Sequence, residues 1–224
     1  PVVTESTPLA NPFWDYSRQK IACEERLLQA MRDTGFPAVI VRPSLTYETV
    51  IPLAIGSWAD FTMIDRMRKG KPVVVHGDGT SLWTITHAED FAKGFVPLLG
   101  NRQSIGHAFH ITSDELLTWD LIWQYTAEAA GTEAKIVHMP SDFIVSVIDQ
   151  LRGPLHGDKA VSVIFDNSKI KQWVPGFAAT IPYREGIART IAWFEEDPNR
   201  SKIIESKNEI HDRLLAAWQG KCGT

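Results

Sequence analysis

The chain has 224 residues, 44% of them hydrophobic and 22% charged, with a formal net charge of −4. That composition excludes a disordered or collagen-like chain and suits a sizeable core, and the negative balance gives no electrostatic reason to expect nucleic-acid backbone binding. No apolar run reaches the length of a membrane span, the first residues show no signal-peptide pattern, and two cysteines (Cys23 and Cys222) make no disulfide framework, so a reducing, cytoplasmic setting is expected.

Residues 1–10 are punctuated by proline and read as an extended segment. Asn11 is a good helix N-cap, Pro12 suits the first helical position and Asp15 complements the helix dipole. A helix is therefore predicted from Pro12 to a stop at Gly35. On it Tyr16 and Lys20 are four apart and share a face, which Cys23, Leu27, Ala30 and Met31 continue as an apolar stripe. A cation beside a phenol favours the phenolate, so such a pair suits general acid–base chemistry, although the spacing alone is a weak signal. Phe36 to Pro43 is a short apolar run with β-branched residues and reads as a buried strand, leading into Arg42-Pro-Ser-Leu-Thr-Tyr47.

Residues 48–56 read as a loop, Trp58 to Lys69 as a helix closed by Gly70, and Pro72 to His76 as a strand. An amphipathic helix is predicted from His87 to Leu99, with Glu89 and Asp90 in its first turn. Gly106 to Thr112 reads as a core strand. His107 and His110, three apart on it, point to opposite faces, and no Cys/His cluster has zinc spacing. Thr118 should cap a helix running through Ala130 to Gly131. A strand follows at Ala134–Met139, a helix at Ser141–Leu151, a loop at Gly153–Asp158 and a last helix at Ser201–Gln219.

Four stretches stand in order: Tyr16 to Lys20, Arg42 to Tyr47, Lys71-Pro-Val-Val-Val-His-Gly-Asp-Gly79, and Thr86-His-Ala-Glu-Asp90. Together they resemble the extended short-chain dehydrogenase/reductase family, the NAD-dependent epimerases and dehydratases. Asp166 to Trp173 and Ile181 to Asp197 resemble that family's closing elements. The resemblance implies that Tyr16 moves a proton, that Lys20 holds the nicotinamide ribose, and that Pro43, Ser44 and Leu45 contact the nicotinamide of NAD or NADP. Apart from any family, Ser44 and Thr46 lie past the carboxyl end of a strand, where α/β sheets bind ligands. Weaker substrate candidates are Thr46, Trp83, Thr86 and His87. Trp83 reads equally well as a core anchor, and His87, at a helix start, reads more readily as a structural hydrogen-bonder.

The chain departs from the sugar-nucleotide enzymes at three positions. Leu45 stands where the family carries Asn, Ser81 where it carries Gln, and Trp83 where an Arg commonly grips a diphosphate. An apolar lining there argues against a nucleotide sugar in the usual pose. Similar Trp and Thr residues follow the Gly-Asp-Gly in atypical members of the family, including relatives of the chloroplast stem-loop-binding proteins.

Gly77-Asp-Gly79 lacks the third glycine and the strand–turn–helix setting of a dinucleotide fingerprint. The expectation is thus an α/β protein: an incomplete Rossmann-like part (residues 1–56 and 84–112) with a smaller mixed α/β substrate domain (57–83 and 113–224). Its function would be that of the C-terminal part of an NAD(P)-dependent epimerase, dehydratase or reductase acting on a small sugar-like, alcohol or ketone substrate. The alternative is a non-catalytic RNA-binding or regulatory member. The missing half, another chain or a homodimer partner would complete the sheet. Taken alone, the chain is expected to be inactive, to hold no cofactor and to present a bare strand edge near Val39–Val41.

Overall fold

A computed structural model describes residues 2–56 and 58–222, with the backbone alone at Cys222. Val2 and Val3 form a two-residue strand, β1, parallel to Ile164 and Phe165. Helix α1 (Asp15–Thr34) starts three residues after the expected Pro12. Asn11 Oδ1 accepts from the amides of Phe13 (3.1 Å) and Trp14 (3.0 Å), so Asn11 caps the turn ahead of the helix and not the helix itself. The stop is as expected: Gly35 takes φ 69°, a left-handed cap that costs glycine no Cβ clash.

The strand read as Phe36–Pro43 is regular only over β2 (Ile40–Pro43), followed by β3 (Leu45–Tyr47). Helix α2 (Thr62–Arg68) begins four residues later than expected, because Asp60 Oδ1 accepts from the Thr62 amide at 3.0 Å and sets the start. Next come β4 (Val73–His76), β5 (Leu82–Trp83), β6 (Ile85–His87) and α3 (Ala88–Phe95), which tightens into a 3₁₀ turn at Val96–Leu98. Then follow β7 (Ala108–Ile111), β8 (Leu117–Thr118) and α4 (Trp119–Ala129). Thr118 caps α4 as predicted, its hydroxyl accepting from the Leu121 amide at 3.2 Å.

The second half holds β9 (Ile136–Met139), α5 (Ser141–Val147), a single turn α6 (Arg152–Pro154), β10 (Ile164–Phe165), α7 (Ser168–Trp173), α8 (Tyr183–Glu195) and α9 (Glu205–Cys222). Three expectations differ in this half. Helix α5 stops at Val147 and a 3₁₀ turn takes over at Asp149–Leu151, where the helix was expected to continue, and α9 starts four residues after the expected Ser201. Gly153 to Asp158 is not a loop, since α6 passes directly into a π-helical turn over Leu155–Lys159.

The strands meet in five two-stranded ladders. Four are parallel: β1 with β10, β2 with β7, β3 with β6 and β4 with β9; β5 and β8 run antiparallel. Among the described residues β2 pairs with β7 alone, so its other edge carries no strand. The larger core gathers around β4, where Val73, Val74 and Val75 are fully buried, as suits a strand covered on both faces. Ile64 and Met67 of α2, Trp119 and Trp123 of α4, Phe194 of α8 and Leu214 of α9 close over it. A smaller core joins β2 and β7 to α3 and α7 through Phe109, Ile111, Ile170 and Phe177.

Candidate active site

Helix α1 buries no residue fully. Its half-buried side chains are Ser17, Ile21, Glu24, Leu28 and Met31, a stripe at helical spacing, with Ala30 beside them, whereas Tyr16, Lys20, Cys23 and Leu27 lie on an exposed face. The expected apolar stripe is therefore only partly packed: Ala30 and Met31 are half-covered, and Cys23 and Leu27 face outwards.

Tyr16 and Lys20 do share that outer face. The Lys20 Nζ lies 5.4 Å from the centre of the Tyr16 ring, over the ring itself, and Tyr16 is 53% exposed. Its other neighbour is Trp14, whose ring centre is 4.9 Å away. The phenol is open to a reacting molecule, which general acid–base chemistry requires.

An ion pair that sequence reading missed fastens this helix. The Arg42 guanidinium forks onto the Glu24 carboxylate, with Nε to Oε2 at 3.0 Å, and its Nη1 donates to the Glu5 carbonyl at 2.9 Å. Glu5 in turn accepts from the His110 amide at 2.9 Å. Arg42 thus ties α1, β2, β7 and the first residues together, next to Pro43 and Ser44. Glu24 and Arg42 are 18 residues apart, beyond any local spacing rule, so no sequence pattern marks the pair.

At the carboxyl end of β2, Pro43 is exposed, and Ser44, the next residue, is half-buried, its hydroxyl 3.1 Å from that of Thr86. Thr86 Oγ1 also accepts from the Ser113 amide at 2.8 Å and is fully buried. Leu45 is buried in the larger core, and Thr46 is half-buried. His87 is buried: its Nδ1 accepts from the Glu89 amide at 3.3 Å, which makes it the N-cap of α3. Trp83 is 4% exposed and stacks on Trp119 with ring centres 5.8 Å apart. Neither Trp83, Thr86 nor His87 lines an open surface, because each is consumed by packing or capping. Tyr47 is a second phenol beside His87, yet it is a poor proton carrier. Burial, with the neighbouring Tyr183, Glu115 and Asp90, holds its phenol well above the usual range.

His107 and His110 take opposite faces as expected. His107 meets Trp173 at 4.8 Å between ring centres, and His110 meets Phe165 at 5.2 Å. Among the described residues no group of three or more His, Cys, Asp or Glu could hold a metal ion, and no helix is long and apolar enough to cross a membrane.

A model of the NAD dependent epimerase/dehydratase family matches residues 2–112. Over that stretch the chain belongs to this family. The match runs from β1 to the end of β7 and contains Tyr16, Lys20, Arg42 and the Pro43–Tyr47 segment. Curated relatives of the chain include 2'-dehydrokanamycin reductase from Streptomyces kanamyceticus, 27% identical over 147 residues, which cover 66% of this chain and 42% of that protein. A chloroplast stem-loop binding protein of 41 kDa from Arabidopsis thaliana is 29% identical over 130 residues, 57% of this chain and 32% of that one. Among solved structures, a UDP-glucuronic acid 4-epimerase from Bacillus cereus, in complex with UDP-glucuronic acid and NAD, superposes with a TM-score of 0.68 at 20% identity. It covers 88% of this chain and 57% of that one. The fold is therefore that of the Rossmann-like epimerases and dehydratases, and the chain spans less than half the length of these two curated relatives.

The residues present fit one end of a dinucleotide. Lys20 and Tyr16 offer an exposed cation and phenol, and Pro43 and Ser44 stand at the carboxyl end of a parallel strand. Gly77-Asp78-Gly79, by contrast, joins β4 to β5 and opens no helix, so it is no pyrophosphate cradle.

Proposed function

We propose that the chain is the proton-transfer and substrate-facing part of an NAD(P)-dependent epimerase, dehydratase or reductase acting on a small sugar-like, alcohol or ketone substrate. The observation that carries this reading is an exposed Tyr16 with Lys20 over its ring, on a helix locked to the end of β2 by the Arg42–Glu24 fork. Bound NAD(P) would exchange a hydride with a substrate carbon. Tyr16 would give or take the proton at the adjoining oxygen. Lys20 would also hold the nicotinamide ribose, with Pro43 and Ser44 against the nicotinamide, whereas Leu45, expected there too, is turned into the larger core and supports them from within. Of the weaker substrate candidates, Thr46 is half-buried and suits direct contact, whereas Trp83, Thr86 and His87 support the site from within the fold. Residues 57–83 and 113–224 would form the substrate side.

No Arg occupies the Trp83 position, so a nucleotide sugar gripped through its diphosphate is not the substrate we favour. Micromolar binding of a UDP- or dTDP-sugar to the full-length protein would overturn that part. Replacing Tyr16→Phe in the full-length protein should lower NAD(P)-linked turnover by roughly 10²- to 10⁴-fold, the usual worth of a general acid–base group. Unchanged turnover would remove the assignment. The similarity to a stem-loop binding protein supports a second reading, an RNA-binding member without turnover. There an RNA hairpin should bind with a strong salt dependence, and Tyr16→Phe should have no effect on it.

A further inference from the structure

Trp14 stands immediately ahead of α1, and its ring lies between Tyr16 and a segment about 140 residues further on. The Lys159 Nζ is 5.3 Å from the centre of the Trp14 ring and 5.8 Å from that of Trp83, so one ammonium faces two indoles. The Lys159 side chain is only 5% exposed, and among the described residues its ammonium is hydrogen-bonded to Asp158 Oδ2 at 2.7 Å. The backbone of Lys159 is pinned too, its carbonyl accepting from His76 Nε2 at 2.9 Å and from the Ser81 hydroxyl at 3.3 Å.

The π-helical turn completes the grip. A Cβ on Gly153 would run into the Trp14 ring, and one on Gly157 would stand 2.8 Å from both Trp14 Cβ and Asn11 Oδ1. Asn11 Nδ2 donates to the Gly157 carbonyl at 2.6 Å. An ammonium buried this deeply is tolerated because Asp158 pairs with it, and a Met or Leu would fill the same space with no such pairing to maintain. What a cation adds is direction: it holds an indole face-on, and two indoles hold it.

We propose that Lys159 is a positioning residue for Tyr16, acting through the Trp14 ring, with Trp83 as the fixed support behind it. This rests on the reading of Tyr16 as the proton-transfer group. It gives Trp83 a task that needs no substrate contact.

Fluorine NMR of the protein labelled with 3-fluorotyrosine gives one resonance for each of the four tyrosines, and Tyr16→Phe identifies that of Tyr16. Lys159→Met should move the Tyr16 resonance while leaving those of the core residues Tyr47 and Tyr183 in place, and Lys159→Arg should restore it. Trp14→Leu should produce the same displacement, and adding Lys159→Met to it should change little more, since the two act through one path. An unmoved Tyr16 resonance in a folded Lys159→Met protein would overturn the proposal. So would a displacement of all four resonances together, which would mark a structural role only. If Lys159→Met does not fold, Trp14→Leu and Lys159→Arg decide by the same readout. Turnover of Tyr16→Phe judges the acid–base reading separately, because the resonance needs no activity.

Discussion

Two of the buried histidines, His211 and His76, weigh most on the stability of this protein in acid. His211 is fully buried between the Val74 amide, which donates to its Nδ1 at 3.0 Å, and the Ile55 carbonyl, 3.3 Å from Nε2. Burial, and then the Arg66 charge, push it down to about 3, and burial pushes His76 down to about 4. Both are neutral when folded and take up a proton on unfolding once the pH falls below their ordinary value of about 6.5. Stability should therefore be level above about pH 6.5 and fall from there towards pH 4, by about 1.4 kcal/mol per pH unit for each histidine. Urea melts at pH 7.5 and pH 5 will show it, and His211→Gln should make the slope shallower while lowering stability at both. Gly186 offers a second residue-scale check. Alanine normally gains up to about 1 kcal/mol over glycine inside a helix, but a Cβ here would strike the buried Tyr47 hydroxyl. Overpacking of about 1–3 kcal/mol should win, so Gly186→Ala should melt at a lower temperature than the parent.

Helix α1 depends on a few tethers. A 20-residue helix that buries none of its side chains is marginal by itself, and the Arg42–Glu24 fork and the Trp14 grip stand in for a packed face. Glu24→Gln should therefore speed amide exchange throughout α1 while leaving α4 and α8 protected, as hydrogen-exchange mass spectrometry can report. Much at this scale was legible in the sequence. Glycine stops at Gly35 and Gly131, the Thr118 cap and the parallel core strands all follow local rules. The start of α1 was misread because Asn11 and Pro12 satisfy capping preferences that the chain uses one turn earlier. The turn at 155–159 was misread because Gly153, Pro154 and Gly157 resemble loop residues, whereas the glycines are there to admit Trp14. In the candidate site, the shared face of Tyr16 and Lys20 could be read from their spacing. Trp14, Arg42 and Lys159 could not, since their partners are distant in sequence.

At the scale of the molecule, the free edge of β2 matters most. It lies on the side of β2 away from β7, beside Pro43 and Ser44, and no described segment supplies a glycine-rich turn opening a helix. This chain alone is expected to show no saturable heat of binding with NAD⁺ or NADP⁺ in calorimetry. Clear binding by a monomer would mean that the pyrophosphate is held in another way.

The pairing of Val2–Val3 with Ile164–Phe165 also imposes an order in time. A ribosome adds roughly 5–20 residues each second, so the first strand waits on the order of ten to thirty seconds for its partner to be made. Gly157, which receives Asn11, is made only slightly sooner. Throughout that interval helix α1 has neither of these long-range anchors, and the nascent chain must be kept from sticking to its neighbours until β10 has been made.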